Sequence, residues 1–142
     1  MGLTTFSIGR DTQLVVMGPH GRVDMSHVTG FESRQLTNPI RVSRLDGTQL
    51  GAELPKGWEG QFEVERGTPA LDDFISSIEQ DFYNGAGAQS GTMYQYITET
   101  DGWVSTYQYD GVVFKLASAG IWKGDASVKQ KLEFFATRKR RI

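Results

Sequence analysis

The chain has no cysteine among its 142 residues. That absence excludes disulfide scaffolds, thiol nucleophiles, thiolate zinc sites and iron–sulfur ligation. Histidine is nearly as scarce, occurring only as His20 and His27. Asp24 lies between them, but on an extended strand His20 and Asp24 point one way and His27 the other. Pro19 and Gly21 argue against helix there, so the three read as turn and surface residues rather than a metal site. No Gly-x-Ser-x-Gly elbow is present, and no nucleophile stands in an activating context. No apolar run approaches the roughly 18 residues needed to cross a bilayer. Charge of one sign is lacking too: 15 basic against 17 acidic side chains leave −2. A protein clamped along nucleic acid is usually far more basic. Residues 1–10 lack a basic region followed by an apolar stretch, so no signal peptide is expected, and the myristoylation pattern begun by Gly2 fails at Phe6.

Proline occurs four times, and there is no Pro/Ser linker, low-complexity segment or internal repeat. One domain over residues 1–142 is expected. Glycine, by contrast, is plentiful at 17 residues, spread along the chain as turn punctuation. Between the turns most of the chain reads as strands. Leu14 and Val16 share one face and Val15 and Met17 the other, followed by a turn at Pro19, His20 and Gly21. Val23 and Met25 alternate with Asp24 and Ser26. Residues 30–38 read as irregular, and Ile40 and Val42 alternate with Arg41 and Ser43. Trp58, Gly60, Phe62 and Val64 alternate with Glu59, Gln61, Glu63 and Glu65, a half-buried strand of period two. Later, Asp101 and Gly102 signal a hairpin, and Asp110 and Gly111 a turn or bulge. Val128, Gln130, Leu132, Phe134 and Ala136 share one face of a last strand.

The exception is residues 69–83. Thr68 is placed to cap a helix with Pro69 at its first position. Asp72 and Asp73 sit early, where the helix dipole favours negative charge. They are about 100° apart on the helix and so do not form a facing catalytic pair. Leu71, Phe74, Ile75, Ile78 and Phe82 make one apolar stripe, and Asn84 with Gly85 can end the helix in a left-handed cap. The order of strands, one helix and more strands predicts a mainly β, mostly antiparallel domain with a helix packed on it.

Four stretches invite a functional reading. Residues 85–91 (Gly-Ala-Gly-Ala-Gln-Ser-Gly) look like a phosphate loop but follow a helix and miss the dinucleotide spacing, so they read as a flexible connection. Residues 45–57 show no clear periodicity. A loop of that length is usually functional, and Leu45, Leu50 and Leu54, with Lys56, suggest a partner surface rather than a floppy excursion. Arg138, Lys139, Arg140 and Arg141 form the one charge cluster, either a solvated tail or a contact for nucleic acid or an acidic neighbour. Tyr94, Tyr96, Trp103, Tyr107 and Tyr109 could form a stacking platform, but no Lys or Arg is interleaved between residues 93 and 109. The strand at 58–65 carries Glu59, Gln61, Glu63 and Glu65 on one face, and the last strand carries Lys129 and Lys131. These are either solvated faces paired across strands, or a sheet face that lines a passage or meets another copy.

The stretch 47–60 (Gly-Thr-Gln-Leu-Gly-Ala-Glu-Leu-Pro-Lys-Gly-Trp-Glu-Gly), the helix over 70–83, and Trp122-Lys123-Gly124-Asp125 through Phe134-Phe135-Ala136 resemble the tail tube proteins of tailed bacteriophages, particularly those of contractile tails. The resemblance implies two packed antiparallel β-sheets flanked by a helix. It implies six copies in a ring whose inner sheets join into one β-barrel, with rings stacked into a tube that conducts the viral genome. It also implies tail sheath, baseplate and tail-terminator partners, and a place in the virion after synthesis in the host cytoplasm. It supplies no catalytic residue, cofactor or membrane anchor. Under it, the segment 45–57 reaches a neighbouring subunit or ring. Glu59, Glu63 and Glu65 face the lumen and repel phosphates. The basic run from Arg138 to Arg141 sits at a subunit contact or on the exterior. The alternative is a small β-rich module that binds nucleic acid through that basic run.

Overall fold

The computed structural model describes residues 6–23, 25, 27–87 and 89–142. Gly2, Asp24, Ser26 and Ala88, which entered the sequence reading, lie outside the described residues. The elements run β1 (Thr12–Gly18), β2 (Gly21–Val23), β3 (Val28–Ser43), β4 (Gln49–Glu65), α1 (Ala70–Asp81), β5 (Gly91–Thr98), β6 (Val104–Ser118), β7 (Lys129–Ala136) and β8 (Arg138–Arg141). All pairings are antiparallel, in the order β2-β1-β5-β6-β7-β4-β3, with β8 beside β6. The fold is therefore mainly β with a single α-helix among the described residues, as the element order predicts.

The two expected sheets are joined through β6. Its first part pairs with β5 and β8, and residues 113–118 pair with β7. Between them Asp110 and Gly111 form the bulge rather than the turn, with Gly111 at φ 59° and the Asp110 carbonyl accepting from Thr137 N. A strand that bends there can serve both layers. The core lies between the layers. Leu14, Val16, Val23, Met93, Tyr109 and Val112 from one side meet Phe62, Val64, Leu132, Phe134 and Ala136 from the other. Tyr109 is fully buried, packs edge-on to Phe31, Trp58 and Phe134, and donates its hydroxyl to Ser33 Oγ at 3.0 Å.

Helix α1 closes one end of this core with Leu71 and Phe74, which are buried, and Ile75 and Ile78, which are partly buried. Pro69 takes the capping position rather than the first helical one, and the Thr68 hydroxyl accepts from Ala70 N at 3.4 Å. After Asp81 the backbone widens through Phe82–Ala86, and Gly85, at φ 91°, ends it. The widening turns Phe82 out of the apolar stripe, so it is exposed rather than buried. Asp72 does more than meet the helix dipole. It accepts from Arg66 Nε at 3.0 Å and from the buried Gln130 Nε2 at 2.8 Å, tying the helix start to β7.

Residues 30–38, expected to be irregular, are strand. Phe31 and Ser33 reach the core while Glu32 and Arg34 point away, and pairing to β4 supplies the backbone partners. Likewise most of the segment 45–57 is not loop, because β4 begins at Gln49.

Candidate functional site

The segment 45–57 and the end of β3 together form a two-stranded arm. Residues Thr37 to Ser43 pair with Pro55 to Gln49, and every residue from 37 to 56 is exposed. The arm turns at Asp46 and Gly47. Arg44 N donates to the Thr48 carbonyl, Gly47 N to the Arg44 carbonyl and Thr48 N to Asp46 Oδ1, while Gly47 takes φ 89°. This is a type I turn followed by a left-handed glycine, a common three-residue hairpin closure. The turn at Asp101 and Gly102 repeats it, with Gly102 at φ 94°.

A one-residue bulge at Lys56 decides which side chains share a face. Leu36 pairs with Gly57 and Thr37 with Pro55, so Lys56 has no opposite number. Beyond it the pattern on β4 changes parity. Leu50, Ala52 and Leu54 oppose Val42, Ile40 and Asn38, giving one apolar face. Thr37, Arg41, Ser43, Gln49 and Glu53 lie on the other. There Arg41 Nη2 and the Thr37 hydroxyl both donate to Glu53 at 2.8 Å, and Ser43 donates to Gln49. The hydrogen bonds from Arg41 and Thr37 hold the Glu53 carboxyl below its usual pKa, and those from Thr48 do the same for Asp46 at the tip. Leu50 and Leu54 are thus brought together with Ile40 and Val42. Leu45 stands apart in the turn, fully exposed, and Lys56 sits at the bulge where the arm leaves the body. Gly57 permits that departure at φ 119°, and a Cβ there would lie 2.8 Å from the Ala136 carbonyl oxygen.

Glu59, Glu63 and Glu65 share the outward face of β4, but they do not form an isolated acidic strip. Glu59 binds Arg34 at 2.6 Å, and Lys129 lies 3.9 Å from both Glu63 and Glu65. Lys131 stands opposite Glu63, and Lys115 opposite Glu133. The face is a shallow groove lined by Glu32, Arg34, Glu59, Gln61, Lys115 and Glu133, about 360 Å³ in volume. Its charges alternate across strands. Two backbone edges flank it. Among the described residues, β3 has no strand on its outer side, nor does β6 over residues 113–118 on the side away from β7.

The basic run is a strand rather than a free tail. In β8, Arg138 to Arg141 continue the β7 pairing along β6. Arg140 Nε donates to Asp110 Oδ2 at 2.7 Å, and this bond holds the Asp110 carboxyl below its usual pKa. The Lys139 ammonium sits between the rings of Trp58, Tyr107 and Tyr109. Arg141 donates to Ser105 Oγ. The supposed aromatic platform is dispersed accordingly: Tyr109 is core, Tyr107 holds Lys139, and Tyr94 and Tyr96 stack on each other. His20 binds Asp81 at the helix end, and the His27 carbonyl accepts from Glu65 N. Among the described residues no group of three or more His, Asp or Glu side chains could hold a metal ion. Among the described residues no helix is long and apolar enough to cross a membrane.

Sequence reasoning missed Ile40 and Val42 as partners of Leu50 and Leu54. The signal was present as two alternating apolar runs around Asp46 and Gly47.

No protein-family description and no curated protein matches the chain. Solved structures do. A chain in the anti-feeding prophage cap, a tube-terminating cap, has a TM-score of 0.61 at 12% identity, covering 100% of this chain and 94% of that one. A chain in the sheath/tube terminator of the PVC extracellular contractile injection system, in its extended state, has 0.59 at 13%, covering 92% and 93%. One in the sheath-tube complex of the same system has 0.56 at 14%, covering 92% and 88%. At these identities the likeness is one of fold, over nearly the full length of both partners: the chain has the tail-tube-type fold.

Proposed function

We propose that this chain is a structural, non-enzymatic protein that self-assembles as stacked hexameric rings into the tail tube of a bacteriophage or a related injection particle. The observation that carries the reading is the arm. It presents Ile40, Val42, Leu50 and Leu54 on one face with no body beneath them. A lone two-stranded hairpin is marginal in water, and an exposed apolar face on one needs a partner. The two free edges flanking the charged face support ring closure, because β3 of one copy can pair with residues 113–118 of β6 in the next. Closure of that kind removes the exposed edges. In the ring the Glu59, Glu63 and Glu65 face lines the bore through which viral DNA passes. Arg34 pairs with Glu59, and Lys129 lies 3.9 Å from Glu63 and Glu65, so the wall is only weakly charged. Sheath, baseplate and terminator proteins are the expected partners, and the assembled virion is the expected location.

The nucleic-acid-binding alternative is less well supported, because Lys139, Arg140 and Arg141 are engaged within the domain. Negative-stain electron microscopy with light scattering on the purified protein tests the proposal. Rings or hollow tubes are expected. A monomer at every concentration that binds DNA at low salt, and loses binding when Arg138 to Arg141 are neutralised, would replace it with the alternative.

A further inference from the structure

Asparagine occurs twice in the chain, as Asn38 and Asn84. Asn38 precedes Pro39, which has no backbone N–H. Asn84 precedes Gly85, which has an N–H and no side chain to shield it. Of the two, Asn84 is the one whose side-chain carbonyl can close a ring onto the next backbone nitrogen. Asp46, Asp101 and Asp110 also precede glycines, but a carboxylate anion is a poorer electrophile than an amide. Their oxygens are engaged as well: Asp46 accepts from Thr48 N, Asp101 from Trp103 N and Asp110 from Arg140.

The turn that carries Asn84 is the least supported part of α1. The backbone widens after Asp81, and every residue from 82 to 87 is exposed. Gly85 leaves helical geometry at φ 91°, and nothing lies within 4 Å of where its Cβ would stand. A widened terminal turn that the body does not cover opens readily. Opening frees the Gly85 nitrogen to approach Asn84 Cγ.

We propose that Asn84 is a site of self-modification, converted by Gly85 N to a cyclic imide and then to aspartate or isoaspartate. Hydroxide takes the proton from Gly85 N, the nitrogen bonds to Asn84 Cγ, the Cγ–Nδ2 bond breaks, and the nitrogen leaves as ammonia with that proton returned to it. Water then adds to either imide carbonyl and opens the ring. Water is the sole co-reactant. The product puts an anion at the C-terminal end of a helix, where the dipole favours cations. The last turn of α1 has no basic residue, and Glu79 and Asp81 already stand there. Asp81 is held by His20 of the β1–β2 turn. An anion three residues further on repels it, so the modification loosens the end of α1 where it meets that turn. The inference does not rest on the tube reading.

The purified full chain is held in mildly alkaline buffer made with heavy-oxygen water and digested, at intervals, in ordinary water. Fragment masses of peptide 67–115 are expected to show loss of the amide and one labelled oxygen at residue 84. Isoaspartyl methyltransferase should label the same peptide. Asn38 is expected to keep its amide, and Asn84→Gln to remove both signals at 84. Labelled aspartate without isoaspartate would mean direct hydrolysis and overturn the ring step. An intact Asn84 amide in the folded chain, once a synthetic peptide of residues 79–87 has turned over in the same buffer, would overturn the site. Amide exchange reads the consequence: Asn84→Asp should speed exchange over residues 78–82 about two- to fivefold, and Asn84→Gln should leave it unchanged. Equal exchange in both variants and the natural chain would overturn the loosening of α1.

Discussion

The Lys139 ammonium lies 4.7 Å from the centre of the Trp58 ring and 4.6 Å from that of Tyr107. Burial pushes its pKa below the usual 10.5. The stem, however, fills the gap between the rings. Lys139→Met, which keeps the stem and drops the charge, is expected to be neutral or stabilising by up to about 1 kcal/mol. Lys139→Ala, which empties the gap, is expected to cost about 1 kcal/mol. The sign of the pH effect follows. The folded chain holds this proton less tightly than the unfolded chain, so stability rises with pH from the lowered folded value up to 10.5 and is flat below it. Urea unfolding of the natural chain and of Lys139→Met across that window isolates the contribution as the difference between them.

Tyr109 joins the two layers by packing and by a hydroxyl that meets Ser33 Oγ at 3.0 Å and Gln95 Oε1 at 3.4 Å, and the two contributions can be separated. Tyr109→Phe keeps the ring against Phe31, Trp58 and Phe134 but leaves Ser33 Oγ without its donor. A loss of about 1 kcal/mol is expected. Tyr109→Ala removes a fully buried ring and is expected to cost about 3–5 kcal/mol. Denaturant melts of the two variants check the ratio. Similar losses for both would mean that the hydroxyl, not the ring, holds the layers together.

What was legible in the sequence was whatever alternates cleanly against a core. Gln130, Leu132, Phe134 and Ala136 are all buried on β7, and the Leu71, Phe74, Ile75 and Ile78 stripe packs inward on α1. The arm was harder to read for a physical reason. Its alternating apolar residues, Ile40, Val42, Leu50 and Leu54, meet no core within the chain, and the bulge at Lys56 shifts their alternation by one against the rest of β4. Leu50, Ala52 and Leu54 at even positions lie on the same face as Glu59 and Gln61 at odd ones. The basic run was opaque because a strand is held by its backbone. Four consecutive cations look like a tail until β6 is known to offer them a paired edge, with Asp110 and three aromatic rings to receive their side chains. Pairing between copies leaves no trace in one chain's periodicity. The lumen assignment of Glu59, Glu63 and Glu65 therefore rests on the proposed ring.

Asp110 governs how firmly β8 is held. Its carboxyl is kept below the usual 3.8 by the Arg140 hydrogen bond first and by Gln108 second. For a carboxyl with a lowered folded pKa, the stabilisation is present above 3.8 and disappears as pH falls through the folded value. Amide exchange over residues 138–141 should therefore speed up in acid more than exchange in β7. Asp110→Asn should already show the faster exchange at neutral pH and lose the extra acid sensitivity. Equal protection of β8 in both proteins would mean that backbone pairing alone keeps it in place.

The apolar face of the arm separates folding from assembly, because none of its side chains takes part in the core. Leu50 opposes Val42 at an exposed position and touches no buried residue of the core cluster. A charge there should change monomer stability by less than about 0.5 kcal/mol, as at other surface positions. In an assembled interface the same charge would be buried without a partner, which is strongly unfavourable. Leu50→Asp is thus expected to yield a folded protein with an unchanged melting transition that forms neither rings nor tubes. Gly57→Ala should act on the same step from the base of the arm. Strain at φ 119° and the approach to the Ala136 carbonyl would redirect the arm at a cost of about 1–3 kcal/mol. Light scattering and electron microscopy of the two variants beside the natural chain provide the readout. Normal tubes from Leu50→Asp would show that the arm's apolar face is not buried between copies. Ring contact would then have to come from the free edges of β3 and β6 alone.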